Sequence, residues 1–112
     1  IKGDGKEKLD FTYIDDFCYG VYKILKNKSS SMNQTFNLTY GNSQSILRIK
    51  NMVIKKFHNQ KFIHEKRDKL TAIRGTLSIK KAKNLLNYYP KFNIDQGFKK
   101  YYSWYEKIYE SK

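Results

Sequence analysis

Cysteine is almost missing from this chain. The one thiol, Cys18, excludes an intrachain disulfide and any metal cluster built on cysteines, and reads as a small core residue. Proline is as scarce, with Pro90 alone, so segments must be punctuated by Gly, Asn and Ser. No apolar run approaches the ~18 residues of a membrane span and no leader pattern is visible, which favours a cytoplasmic location with no membrane partner. The sequons at Asn27, Asn33 and Asn37 then carry no meaning. His58 and His64 stand six apart without a carboxylate at ligand spacing, so no metal is expected.

Acids are also few, 10 against 23 Lys and Arg, giving a net charge of +13 and a pI near 9.8. Such a balance invites a polyanion reading, because clustered cations release phosphate counterions on binding. The cations are spread out, however, and only three are arginines (Arg48, Arg67, Arg74), the residue that bidentate phosphate recognition favours. We therefore read the lysines as solvated surface and expect no nucleic-acid partner. A small basic nucleic-acid-binding or protein-interaction module remains the alternative, separable by the steep salt dependence that polyanion binding shows.

What the chain has is aromatic and aliphatic residues at regular spacing: 39% hydrophobic and 16% aromatic over 112 residues, enough for one small domain. The spacing predicts helices over about 15–26, 45–57, 79–87 and 94–110, and strands near 35–40 and 61–65. Asp15 or Asp16 caps the first helix, with Phe17, Val21, Ile24 and Leu25 on one side. Ser45 caps the second, which buries Ile46, Ile49, Met52, Val53 and Phe57, and Ser78 caps the third, with Ile79, Ala82, Leu85 and Leu86 inward and Asn87 ending it. Asn93 and Gln96 stand at capping-box spacing before a stripe of Ile94, Phe98, Tyr101, Tyr105 and Ile108, read as core, with Gly97 allowing close approach. Phe36, Leu38 and Tyr40 alternate with polar residues as in a half-buried strand that turns at Gly41.

Three stretches carry a further signal: Asp10-Phe11-Thr12-Tyr13-Ile14-Asp15-Asp16, then TFNLTYGNSQSI from Thr35, then RGTLSIKKAKNLLNYYPKFNIDQGFKKYYSWY from Arg74. In this order they resemble the C-terminal portion of the extended short-chain dehydrogenases, the NAD-dependent epimerase/dehydratase family acting on nucleotide sugars and typified by UDP-glucose 4-epimerases. Asn87 replaces the family's usual Gly and tolerates the same left-handed backbone.

The resemblance implies an α/β fold that forms the C-terminal part of an extended Rossmann-type enzyme, incomplete without an N-terminal cofactor domain, with 1–112 as its nucleotide-sugar-binding portion. It implies a nucleotide-sugar substrate and NAD in the parent enzyme. The parent chemistry would be epimerisation or dehydration, as in polysaccharide biosynthesis. The chain alone is expected to bind no NAD and to be inactive. The family's glycine fingerprint is absent, since Gly3-Asp4-Gly5 lacks the third glycine and a preceding strand. Its Tyr-x-x-x-Lys signature occurs literally as Tyr19–Lys23 and Tyr22–Lys26, about the two matches chance gives with 10 Tyr and 20 Lys, and neither is assigned a role.

Substrate binding falls to the residues matching the family's two diphosphate arginines. Leu9 replaces the first, leaving Lys8 beside it. Arg67 fits the second or is a surface arginine, and Arg74 either meets the anion or braces its turn. Helix stripes exposed in the isolated chain, especially on 15–26 and 45–57, imply association with the missing N-terminal part or with a second copy.

Overall fold

A computed structural model describes residues 1–109. The described residues form five helices, α1 (Ile14–Lys26), α2 (Lys28–Ser31), α3 (Ile46–Lys56), α4 (Lys80–Leu86) and α5 (Ile94–Tyr109); Asn27 alone separates the first two, and longer connections join the others. Two short strands, β1 (Lys8–Leu9) and β2 (Gln44–Ser45), pair antiparallel with Lys8 opposite Ser45 and Leu9 opposite Gln44.

Local chemistry sets most helix ends. Ser45 accepts from the Arg48 N–H at 3.2 Å and opens α3. Asn93 and Gln96 exchange backbone-to-side-chain bonds of 3.0 Å each and open α5, a reciprocal pairing that satisfies two orphan donors. Asn87 closes α4 at φ 51°, ψ 44°, the left-handed conformation that Asn adopts at low cost. The expected cap by Ser78 does not form. α4 starts one residue later, after Ile79, and the Ser78 carbonyl accepts instead from Asn37 Nδ2 at 3.0 Å. Asp15 and Asp16 do not cap α1 either, which begins at Ile14 after Tyr13.

Asp16 has a different task. It is 2% exposed, and its two oxygens accept from the Lys91 and Phe92 N–H groups, each at 2.8 Å. One carboxylate thereby pins the connection between α4 and α5 to the first turn of α1, where its charge also complements the helix dipole. Tyr13 packs over Gly97 and edge-on against Phe92, so α5 leaves this junction in close contact with the start of α1.

The core is small. Ile79, Ala82, Leu86 and Tyr88 are buried, with Tyr19, Ile24, Phe36 and Leu38 packed around the last three. Gly20 lets α1 approach: a Cβ there would stand 2.8 Å from Leu38 Cδ2 and 3.0 Å from Tyr88 Cε2. The overall shape is a slab of 51 × 41 × 18 Å with a radius of gyration of 16.9 Å, against the ~13 Å of a compact chain near this length.

Several expectations are corrected here. Residues 35–40 and 61–65 form no strands. A ladder needs a neighbour, and among the described residues the first segment has none and the second contributes only a bridge between Glu65 and Lys2. Phe36 and Leu38 still turn to the core, so the alternation marks the buried side of this extended segment. Cys18 is exposed because the inward face of α1 carries Asp16, Gly20 and Ile24. The outward face presents Ile14 (59% exposed), Phe17, Val21 and Leu25 (63%), as expected of this helix; α3 by contrast keeps its stripe half-buried. The α5 stripe is core only at its start, since Tyr101, Tyr105 and Ile108 are exposed.

Candidate anion-binding site

The connection from α3 to α4 carries Arg67 and Arg74. One end is held to the N-terminus: Glu65 N–H donates to the Ile1 carbonyl at 2.8 Å and Gly3 N–H to the Glu65 carbonyl at 2.7 Å. The other end is held to the segment after β1, where Leu77 N–H donates to Asp10 Oδ2 at 3.2 Å. Between these anchors an Asp68 turn tightens the loop through bonds from Leu70 N–H to Oδ1 and from Thr71 N–H to the Asp68 carbonyl.

Arg67 lies half-buried inside this loop. Its Nη2 donates to the carbonyls of Thr71 and Ala72 at 3.1 and 3.3 Å, its stem packs on Gly3, and Glu7 Oε1 stands 4.0 Å away. Nε is buried without a hydrogen-bond partner among the described residues. A guanidinium restrained on one edge, with donor capacity left over, suits an anion that approaches from the other edge. Lys8 stands exposed on β1, immediately after Glu7. Arg74 is exposed, and its guanidinium makes no hydrogen bond or ion pair among the described residues. Lys8, Arg67 and Arg74 thus sit on two segments linked through the Glu7 and Asp10 contacts.

Arg48, no candidate from the sequence, is exposed but held by two polar partners. Its guanidinium donates to Asp95 Oδ2 at 2.7 Å and to Gln44 Oε1 at 2.8 Å, beside a cavity of about 210 Å³ also lined by Phe11, Tyr40 and Asn42. Next to it lies a cavity of about 290 Å³ walled by Phe11, Tyr13, Ile14, Phe92, Phe98 and Tyr101. Gln44 on β2 stands only four residues before Arg48 in the first turn of α3, whereas Asp95 comes from 47 residues away.

The Tyr-x-x-x-Lys pairs have a plain structural use. Lys23 Nζ lies 5.4 Å from the Tyr19 ring centroid and Lys26 Nζ 5.8 Å from that of Tyr22, as i, i+4 spacing on α1 allows. Among the described residues eight lysines cover rings of their own chain in this way, and they are spread from Lys23 to Lys100. The Gly3-Asp4-Gly5 turn lacks the geometry of a dinucleotide fingerprint. Gly3 and Gly5, at φ 72° and 74°, lie in a turn that leads to β1 rather than to a helix N-terminus. No group of three or more metal-ligating side chains comes together among the described residues, and no helix among them is long and apolar enough to cross a membrane.

Comparison with known structures defines the class. The chain superposes on an epimerase from Methanothermobacter thermautotrophicus with a TM-score of 0.90 at 24% identity, covering 98% of this chain and 33% of that one. It matches the UDP-glucuronic acid 4-epimerase of Bacillus cereus, solved in complex with NAD, with a TM-score of 0.78 at 27% identity over 99% of this chain and 34% of that one. This is the fold of the C-terminal third of the extended short-chain dehydrogenases. In sequence, the UDP-glucuronate 4-epimerase of Thermodesulfobacterium geofontis is 33% identical over 110 residues, covering 93% of this chain and 32% of the relative. No family model matches the chain. Its relatives in both sequence and structure are NAD-dependent epimerase/dehydratases, and it spans about a third of their length.

Proposed function

We propose that this chain is the substrate-binding part of an NAD-dependent nucleotide-sugar epimerase or dehydratase and that it holds the diphosphate of the sugar nucleotide. The observation that carries the reading is its match over 99% of its length to a UDP-glucuronic acid 4-epimerase, at an identity above the level where fold alone is shared. NAD and the groups that act on the sugar belong to the remaining two thirds of such an enzyme. In this chain Arg67 supplies a guanidinium fork, with Arg74 and Lys8 as exposed cations on the two flanking segments. Leu9 donates nothing, so the diphosphate depends more heavily on Arg67 than in relatives with two arginines.

The test joins this chain to the N-terminal two thirds of the Bacillus cereus enzyme and measures turnover of UDP-glucuronic acid. A charge-assisted hydrogen bond is worth roughly 1.5–3 kcal/mol, so Arg67→Ala should raise KM on the order of tenfold to a hundredfold. Arg67→Lys should recover part of the loss, because an ammonium keeps the charge without the fork. A chimera that folds and binds NAD but no nucleotide sugar overturns the reading. An unchanged KM in Arg67→Ala together with a raised one in Arg74→Ala moves the clamp to Arg74.

A further inference from the structure

We propose that Asp10 is a positioning residue: its carboxylate sets the loop that bears Arg67 and Arg74 in register with the segment that bears Lys8. The inference deepens the functional reading above and rests on it for the identity of the anion. Asp10 follows Lys8 and Leu9 directly at the end of β1. Its Oδ1 accepts from the Gly41 N–H at 3.1 Å and its Oδ2 from the Leu77 N–H at 3.2 Å. The two donors come from segments 31 and 67 residues away, so a single rigid group fixes three stretches of chain at once.

Neighbouring bonds close the same junction. Ser43 N–H donates to Thr76 Oγ1 at 3.1 Å, and the Ser43 and Thr76 hydroxyls share a bond of 2.7 Å. Gly41 adopts φ 80°, which places its N–H toward Asp10 while its Cα side lies against Ile79. Asp10 therefore acts on an anion through the arginine loop, since both of its hydrogen bonds go to backbone N–H groups. The shape of the carboxylate matters more than its charge. It presents two acceptors to two N–H groups, and an amide in its place would turn an NH₂ toward one of those donors.

The experiment uses the full chain with UDP as probe, by titration calorimetry, alongside residue-resolved amide exchange. In Asp10→Asn, exchange at Gly41 or Leu77 and through residues 66–77 should quicken on the order of tenfold, and UDP should bind on the order of tenfold more weakly. In an Arg67→Ala background the same substitution should cost little more, because its effect passes through that side chain. Asp10→Glu, which keeps both acceptors, should bind UDP more tightly than Asp10→Asn.

Additive losses in the double variant overturn the inference, as does unchanged exchange in Asp10→Asn. If the wild-type chain binds no UDP, the functional reading fails for the isolated chain, and exchange over 66–77 alone decides whether Asp10 holds the loop. Should Asp10→Asn fail to fold, Thr76→Val loosens the same loop end from the Ser43 side. It must then show the same non-additivity with Arg67→Ala, and additivity there overturns the inference.

Discussion

Replacing Asp16 by alanine should be among the most damaging single changes outside the apolar core. The carboxylate is 2% exposed and accepts two backbone N–H groups at 2.8 Å, both from the connection between α4 and α5. Hydrogen bonds to a charged acceptor are worth about 1.5–3 kcal/mol each, and the two buried N–H groups would be left without a partner. Its place in the first turn of α1 adds about 0.3–1 kcal/mol through the helix dipole. The contributions share one side chain and do not fully add, so about 3–5 kcal/mol is expected, a large part of the ~5–15 kcal/mol that holds a typical domain together. At several degrees per kcal/mol for a small domain, Tm should fall by more than about 10 °C.

Asp16→Asn keeps one acceptor and turns an NH₂ toward the second donor, so it should lose about half as much. Urea unfolding of the three proteins measures both, and amide exchange at Lys91 and Phe92 reports whether the loss is local. An Asp16→Ala variant within about 0.5 kcal/mol of wild type would refute the latch, because both amides donate to this one carboxylate.

Two further outcomes follow from the core. Gly20→Ala drives a methyl to within 2.8 Å of Leu38 and 3.0 Å of a Tyr88 ring that has no room to retreat, and should cost about 1–3 kcal/mol in the same urea assay despite the better helix propensity of alanine. Burial, with the Asp16 and Asp10 charges nearby, pushes the Tyr88 hydroxyl up to about 12 from an ordinary 10. An acid that ionises more easily in the unfolded chain stabilises the fold fully below pH 10 and progressively less as pH rises toward 12, so stability should fall across that window. Tyr88→Phe should flatten the slope, and an equal slope in both proteins would count against the buried hydroxyl as its source.

Where a structural choice was made by neighbouring residues, the sequence revealed it. Ser45, Asn87, Gly97 and the Asn93–Gln96 pair act within a turn of their own position or through the lack of a side chain, and each was legible. Choices made across the chain were not. Asp16 looked like a helix cap because its true partners are 75 residues away, and Ser78 lost its cap when its carbonyl was engaged by Asn37 from 41 residues off. Cys18, a small residue expected in the core, is exposed because α1 buries Asp16 and Gly20, whose partners lie far along the chain. At the candidate site, Arg67 and Arg74 were found through resemblance of the surrounding motifs. The Arg48 to Asp95 pair left no trace, since ion pairs between distant segments have no local pattern.

The outward apolar face of α1 ties the stability of the fold to whatever covers it. Ile14, Phe17, Val21 and Leu25 stay wet in the single chain, so whatever dries them lends its binding free energy to the fold. At a partner concentration a hundredfold above its Kd the gain is about 2.7 kcal/mol, comparable with what the Asp16 latch contributes. The melting temperature of this chain is then a titration curve read in degrees. It would report how much of the α1 surface is covered at the concentration of the tube, and would climb with each addition of any polypeptide that covered that face.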